Sequence, residues 1–264
     1  MSLYRPEFVP KLRPSYPKGI ASLFVNNMPV VPWNVWDVVK AVGLTVGLAL
    51  VLIVAFVIAA LFVFALASED TLASFELYGI EAIAYLAAFC VPLASIWFFG
   101  IRKYGVSWRT IGFRRTSAAH LLLLVPLVYG VDRGIEEGYT WLVSSLGQEA
   151  LIPQQEYIEE MFEEAIYKPL LCFDIVVITP IVEEIVFRGF ILAGLTLALG
   201  NIRGMIISSA LFTVVHWDFD IMPIIFVSGM LIAWLYMRTG SLWPPIALHA
   251  LSNAAATVQY EFFN

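Results

Sequence analysis

Long runs of apolar residues are the feature that most restricts the fold of this 264-residue chain. A helix needs about 20 apolar residues to cross the hydrocarbon core of a bilayer, which is about 30 Å thick. The runs that we predict to be membrane-spanning helices are 38–67, 79–100, 119–143, 170–199, 204–217, 221–237 and 242–260, of which the fifth and sixth are short. The sequence therefore predicts an all-α, polytopic bundle with about seven to eight transmembrane spans.

The composition supports this prediction and excludes other classes of protein. The chain is 60% hydrophobic and 14% charged, whereas soluble domains are roughly 45–50% apolar and about 25% charged. A net charge of −6 gives no reason to expect a nucleic acid as partner. Cys90 and Cys172 lie in apolar runs, and their spacing indicates neither a disulfide framework nor a metal site. We expect the lipid bilayer to be the main surroundings of the chain.

We divide the chain into a Pro-rich, aromatic segment at the membrane surface, 1–36, and a membrane-embedded domain, 37–264. The acidic segment 153–168 has apolar residues at helical spacing, which is typical either of an amphipathic helix on the bilayer or of a solvated loop helix. If the N-terminus is cytoplasmic, twelve basic residues lie inside and only Lys168 lies outside. The positive-inside rule therefore predicts a cytoplasmic N-terminus, and we expect a bacterial cell membrane.

Ionisable residues inside the predicted spans indicate where a site lies. A charged side chain at mid-membrane costs at least about 2.5–3.5 kcal/mol, so such residues usually face the bundle interior and have a function. They are Asp132, Arg133, Glu136 and Glu137 in the third span, Glu183, Glu184 and Arg188 in the fourth, His216 at the end of the fifth, and His249 in the seventh. For the third span we expect structural pairing of Arg133 with Glu137, with an opening towards substrate as the alternative.

The fourth span contains a paired and an unpaired carboxylate. Glu184 and Arg188 are four residues apart, share a helix face and are expected to form an ion pair. Glu183 points about 100° away from Glu184 and has no partner in the local sequence. A carboxylate without a partner in a low dielectric takes up a proton readily. Glu183 is therefore a candidate general base.

Two histidines and an amide complete the candidate site. With a rise of about 1.5 Å per residue, Glu183, His216 and His249 lie at similar depths, and Asn253 shares a helix face with His249. Glu183, helped by His216, could take a proton from a water, while His249 and Asn253 donate hydrogen bonds to an oxyanion. A zinc ion held by Glu183, His216 and His249 is the second scheme, and the spacing does not distinguish the two.

Three motifs carry a resemblance to a known family. "PIVEEIVFRGF" (180–190) resembles a Glu-Glu-x-x-x-Arg motif, "FTVVH" (212–216) a Phe-x-x-x-His motif, and "HALSN" (249–253) a His-x-x-x-Asn motif. In this order, within the motif core 170–260, they resemble the CAAX protease and bacteriocin-processing (CPBP) family of intramembrane proteases. The type II CAAX prenyl endopeptidases are one branch of that family.

The resemblance implies a helical bundle with an intramembrane active-site cavity. It also implies an endopeptidase that hydrolyses a peptide bond of a membrane-associated or lipidated peptide or protein. It implies that Glu183 and His216 activate the water, and that His249 and Asn253 stabilise the oxyanion. Glu184, Arg188 and Phe212 are then supporting residues. No cofactor is required in the reading that we favour, and zinc is the alternative.

Two other functions remain open at the level of sequence. A non-catalytic scaffold, such as a bacteriocin-immunity protein, could keep the same fold. A proton-coupled transporter is less favoured: membrane carboxylates and histidines also serve as proton relays, but the chain shows none of the internal repeats that are common in transporters.

Overall fold

The computed structural model describes residues 27–66, 83–148, 151–152, 168–216 and 220–263. Within these ranges the regular structure is helical, so the predicted all-α class is confirmed. The helices are α1 (Val35–Leu66), α2 (Ile83–Arg102), the single turn α3 (Trp108–Ile111), α4 (120–145), α5 (168–199), α6 (Asn201–Val214), α7 (Met222–Thr239) and α8 (Trp243–Phe263). Each predicted span coincides, where it is described, with a helix other than α3.

Three of the described helices are long and apolar enough to cross a membrane: Val35–Ala65, Ile83–Arg102 and Met222–Thr239. Helix α6 is also apolar but shorter. The centres of α4 and α5 contain the ionisable residues noted above, which reduces their hydropathy. The protein is therefore a helical membrane protein, and the number of its spans stays a prediction.

Two predicted segments fall largely outside the described residues. The acidic segment 153–168 is described only at Lys168, and the N-terminal segment 1–36 only from Asn27 onwards. The predicted boundary between 36 and 37 lies in the first turn of α1. The division into these two parts stays a prediction.

The described residues form two compact units, of which the first comprises α1 and α2 within residues 32–106. The two helices are antiparallel, because Thr45 donates a hydrogen bond to Ser95 at 3.1 Å, while Asp37 accepts hydrogen bonds from Lys103 and Tyr104. The hydrogen bond to Asp37 raises the pKa of Lys103. These contacts hold the start of α1 beside the end of α2.

The second unit contains residues 27–31 and the described residues from 107 onwards. Helix α6 packs against α7 and the second half of α5, while α8 packs against α4, α7 and the first half of α5. One apolar core lies where α4, α7 and α8 meet, and it contains Val125, Val128, Ile232, Leu235 and Leu248. Helix α5 is thus placed between α6 and α8, the two helices that carry the motif histidines.

Proline and glycine mark the ends of the helices in this unit. Pro223 and Pro244 lie in the first turns of α7 and α8, where the missing N–H costs no helical hydrogen bond. Gly240 ends α7 in the left-handed conformation, with φ +67°. A side chain at Gly240 would also collide with the carbonyl oxygen of Asn27, whose N–H donates to Met237 O at 2.8 Å.

A close contact joins α3 to α5 just beyond the ionisable residues. Tyr236 donates a hydrogen bond to the carbonyl oxygen of Ile111 at 2.5 Å, and Ile111 is fully buried. A Cβ atom at Gly189 would overlap the side chain of Ile111 and lie 3.2 Å from its carbonyl oxygen. The close approach of Ile111 therefore leaves no room for a side chain at position 189 unless Ile111 moves.

We expect Gly189→Ala to lower the free energy of unfolding by about 1–3 kcal/mol, because the added methyl group overpacks this contact. Thermal unfolding of the full chain in detergent measures the change. Gly134→Ala on α4 is the matched control, since a Cβ there meets no atom within 4 Å. That substitution should instead stabilise the helix by up to about 1 kcal/mol. Equal effects of the two substitutions would contradict the packing argument.

The charged residues of α4 pair differently from our prediction. Arg133 forms its ion pair with Glu136, three residues on, and the predicted pairing with Glu137 was wrong. Asp132 is buried and accepts a hydrogen bond from Ser228 of α7 at 2.6 Å. Because spacings of three and four both place residues on one helix face, the spacing alone did not decide between the two glutamates.

Candidate active site

Two segments of wide turn surround the carboxylates of α5. The segment Thr179–Glu184 is regular α-helix, whereas the hydrogen bonds run from residue i to i+5 in Asp174–Ile178 and in Ile185–Leu192. Such wide turns are frequent at functional sites. They also leave backbone carbonyls available to neighbouring helices: Phe187 O accepts a hydrogen bond from Ser208 of α6 at 2.8 Å.

Pro180 explains how Asn253 is placed. The N–H of Thr179 donates to Asp174 O in the wide-turn pattern, so the next carbonyl, that of Ile175, faces position 180. Proline has no N–H to donate. The side-chain amide of Asn253, on α8, supplies the missing hydrogen bond to Ile175 O at 2.8 Å. The backbone of α5 therefore fixes the side chain of this motif residue.

Glu184 is the centre of a buried polar network. Its Oε1 accepts hydrogen bonds from Arg188 Nη1 at 2.9 Å and from His249 Nδ1 at 3.0 Å. Arg188 also donates from Nη2 to the carbonyl oxygen of Gly229, on α7, at 3.1 Å. The exposed fractions of Glu184 and Arg188 are 0% and 1%. The predicted ion pair of Glu184 with Arg188 is present. Its contacts with Gly229 and His249 connect α5 to α7 and to α8.

The ring of Phe212 packs against this network. The guanidinium carbon of Arg188 lies 4.3 Å from the centre of the ring, which is the geometry of a cation–π contact. The centres of the His216 and His249 rings lie 4.6 Å and 5.8 Å from it. Phe212 thus contacts both imidazoles and restricts the position of each.

Glu183 differs from Glu184 in having no hydrogen bond from the described part of the chain. Its Oε2 atom is buried, although 23% of the side chain is exposed. The nearest charged partner is His249, whose Nε2 lies 3.7 Å from that oxygen. This separation is too long for a direct hydrogen bond, but one water could lie about 2.8 Å from both atoms.

His216 lies in the turn that directly follows α6 and is exposed. Its Nδ1 donates to the carbonyl oxygen of Phe212 at 2.7 Å, since a carbonyl only accepts. In a neutral ring this leaves Nε2 without a proton and able to accept one. Among the described contacts none joins His216 to Glu183 directly, and residues 217–219, which follow it, lie outside the described ranges.

The structure thus brings Glu183, Glu184, Arg188, Phe212 and His249 into one group, and His216 packs against the Phe212 ring. Asn253 is tied instead to Ile175, on the first half of α5. Sequence reasoning missed the carbonyl groups of Gly229 and Ile175, because a backbone acceptor leaves no mark in a sequence. Pro180 was the one available signal.

The zinc scheme receives no geometric support. The described residues contain no group of three or more His, Cys, Asp or Glu side chains that could hold a metal ion. Glu183 and His249 are close, but His216 contacts neither in the described contacts. The chemistry derived below therefore has no step through a metal.

Comparison with known proteins finds that the motif core is similar to membrane peptidases. Residues 165–255 match the family model "Type II CAAX prenyl endopeptidase Rce1-like". The chain is 28% identical over 127 residues, 48% of its length, to "Putative membrane peptidase YdiL" of Bacillus subtilis (strain 168), and covers 50% of that protein. It is 26% identical over 163 residues, 60% of its length, to "Membrane-embedded CAAX protease MroQ" of Staphylococcus aureus (strain USA300), and covers 59% of that protein. The chain thus spans between half and three fifths of the length of these relatives. No solved structure matches it significantly.

Proposed function

We propose that the chain is an intramembrane endopeptidase of the CPBP family, because its segment 165–255 matches the Rce1-like family model and its relatives are named as membrane peptidases. Its substrate is a membrane-associated or lipidated peptide or protein, and the reaction is hydrolysis of one peptide bond. The observation that carries the proposal is the buried Oε2 of Glu183, which has no hydrogen-bond donor in the described chain and lies 3.7 Å from His249 Nε2.

Glu183 acts as the general base. A water that hydrogen-bonds to its carboxylate attacks the carbonyl carbon of the scissile bond, and its proton passes to Glu183. The C–O bond forms as the carbonyl π-electrons move to the oxygen, which becomes an oxyanion. His216, whose Nδ1–H is held by the carbonyl of Phe212, presents Nε2 as a further acceptor for the same water.

His249 and Asn253 stabilise the oxyanion. A protonated His249 donates Nδ1–H to Glu184, which leaves Nε2–H to donate to the oxyanion. The amide nitrogen of Asn253 carries two N–H groups, one of which donates to Ile175, and we assign the other to the oxyanion. One such donor contributes on the order of 10²–10³ in rate. The C–N bond then breaks, and Glu183 returns its proton to the leaving amine.

Glu184 and Arg188 position the reacting groups. The Glu184 carboxylate orients the ring of His249, because its Oε1 accepts a hydrogen bond from Nδ1 at 3.0 Å. Arg188 neutralises that carboxylate and links it to Gly229 of α7. Neither side chain needs to touch the substrate.

The proposal is tested by comparing peptide ends in membranes from cells that express the wild-type chain or Glu183→Gln. Mass spectrometry of new N- and C-termini should find ends that depend on the wild-type chain alone. Identical sets of ends in both membranes would contradict the proposal. If the variant keeps its cellular function, the scaffold alternative is favoured. Solute flux into proteoliposomes without peptide cleavage favours the transporter.

We expect cleavage to survive removal of divalent metals, since the proposed steps use only side chains and water. Purified protein is dialysed against a chelator, its zinc content is measured by mass spectrometry, and turnover is followed before and after. Loss of turnover that stoichiometric zinc restores would contradict the metal-free mechanism and favour a metal held by Glu183, His216 and His249.

A further inference from the structure

A cavity of about 550 Å³ in the first unit has no role in the proposed chemistry. It is lined by Lys40 of α1, by Phe98, Phe99 and Arg102 of α2, and by Lys103. None of these residues belongs to the motifs. Three cations and two aromatic rings around one cavity indicate a ligand that is both anionic and apolar.

Two of the three cations are available to a ligand. Asp37 is buried and already accepts hydrogen bonds from Lys103 and Tyr104. Lys40 and Arg102 are exposed and form no ion pair with a carboxylate within the described ranges. Arg102 instead lies over the ring of Trp97, 5.4 Å from its centre. The cavity therefore has a positive charge that the described residues do not neutralise.

The order of the lining residues along α2 matches the depth profile of a membrane surface. Both α1 and α2 qualify as membrane spans, and the start of α1 lies beside the end of α2. Arg102 ends the helix, while Phe98 lies four residues earlier, about 6 Å further along the axis. Phe98 is 52% exposed. Cations thus lie at headgroup level, with aromatic surface at the level of the first acyl carbons.

We propose that this cavity binds an anionic phospholipid. Its phosphate is held by Lys40 and Arg102, and its acyl chains begin against Phe98 and Phe99. Lys103 stays paired with Asp37 and does not need to leave it when the lipid binds. A basic pocket between membrane helices is suited to an anionic headgroup, whereas a free phosphate would gain nothing from the two phenylalanine rings.

Native mass spectrometry of the full chain in detergent tests the proposal, with phosphatidylglycerol, phosphatidylcholine or inorganic phosphate added. The wild-type chain should retain phosphatidylglycerol in preference to phosphatidylcholine. Lys40→Gln and Arg102→Gln should each reduce that retention about fivefold, and the double variant on the order of 25-fold. Phe98→Ala should weaken retention of phosphatidylglycerol without changing the binding of phosphate.

Arg203→Gln is the matched control, because Arg203 is an exposed arginine in the first turn of α6 and outside the cavity. It should leave lipid retention unchanged. All variants should elute from a size-exclusion column at the volume of the wild-type chain, which shows that they are folded. Equal retention of the two lipids, or an equal loss in Arg203→Gln, would overturn the proposal. The proposal would also be overturned if inorganic phosphate displaced the lipid and Phe98→Ala had no effect. Those two results together would indicate a site for a free anion.

Discussion

Replacing Glu183 by glutamine should lower kcat for peptide hydrolysis on the order of 10²–10⁴-fold, the usual contribution of a general base. Glutamine has the size of glutamate but cannot take the proton of the attacking water. The fold should be unaffected, because Glu183 forms no hydrogen bond in the described chain and is partly exposed. Initial rates of the purified proteins are measured on a peptide that the comparison of membrane peptide ends has identified. Melting temperatures of the same proteins show whether the fold is unaffected.

Glu137→Gln is the matched control for this experiment. Glu137 is an exposed glutamate of α4, and the substitution makes the same chemical change in another helix. Its kcat should stay within about twofold of wild type, as expected for a group that takes no part in proton transfer. If Glu183→Gln is fully active, or if Glu137→Gln is equally impaired, Glu183 is not the base.

Replacing Arg188 by methionine should lower the free energy of unfolding by about 3–5 kcal/mol, the cost of breaking a buried ion pair from one side. The carboxylate of Glu184 would stay fully buried without its guanidinium partner. We expect turnover to be lost as well, since the change disturbs the group that orients His249. Denaturant unfolding of the full chain in micelles, with parallel rate measurements, tests both effects.

The double variant Glu184→Leu/Arg188→Met distinguishes stability from function. Removing both charges leaves no unpaired ion, and apolar replacements of buried pairs are often neutral or stabilising. Stability should therefore return close to the wild-type value, while activity stays low because His249 Nδ1 has lost its acceptor. Recovery of activity in the double variant would show that Glu184 does not position His249.

Much of the helical organisation and part of the site could be read from residue spacing. The ion pair of Glu184 with Arg188 follows from their separation by four residues. The lack of a local partner for Glu183 follows from the same periodicity. The same rule failed for Arg133, which pairs with Glu136 and not Glu137, because side-chain conformation selects between two positions that the helix makes nearly equivalent.

Contacts between helices were beyond this reasoning. That His249 binds Glu184 through Nδ1 and faces Glu183 through Nε2 depends on the rotation of α8 about its axis. The acceptors Gly229 O and Ile175 O depend on how α7 and α8 approach α5. A sequence lists the side chains but does not say which backbone carbonyl a neighbouring helix will bring within 3 Å.

The sequence by itself determined that the chain is a helical membrane protein, that ionisable side chains are enclosed in its helices, and that Glu183, His216, His249 and Asn253 are the residues to examine. These conclusions depend on hydrophobic length and helical period, which are local properties of the chain. Only the tertiary structure decided that Glu184 holds His249, that Phe212 contacts both imidazoles, and that Pro180 frees the carbonyl that Asn253 binds. Those outcomes depend on the packing of separate helices, which brings together groups that are distant along the chain.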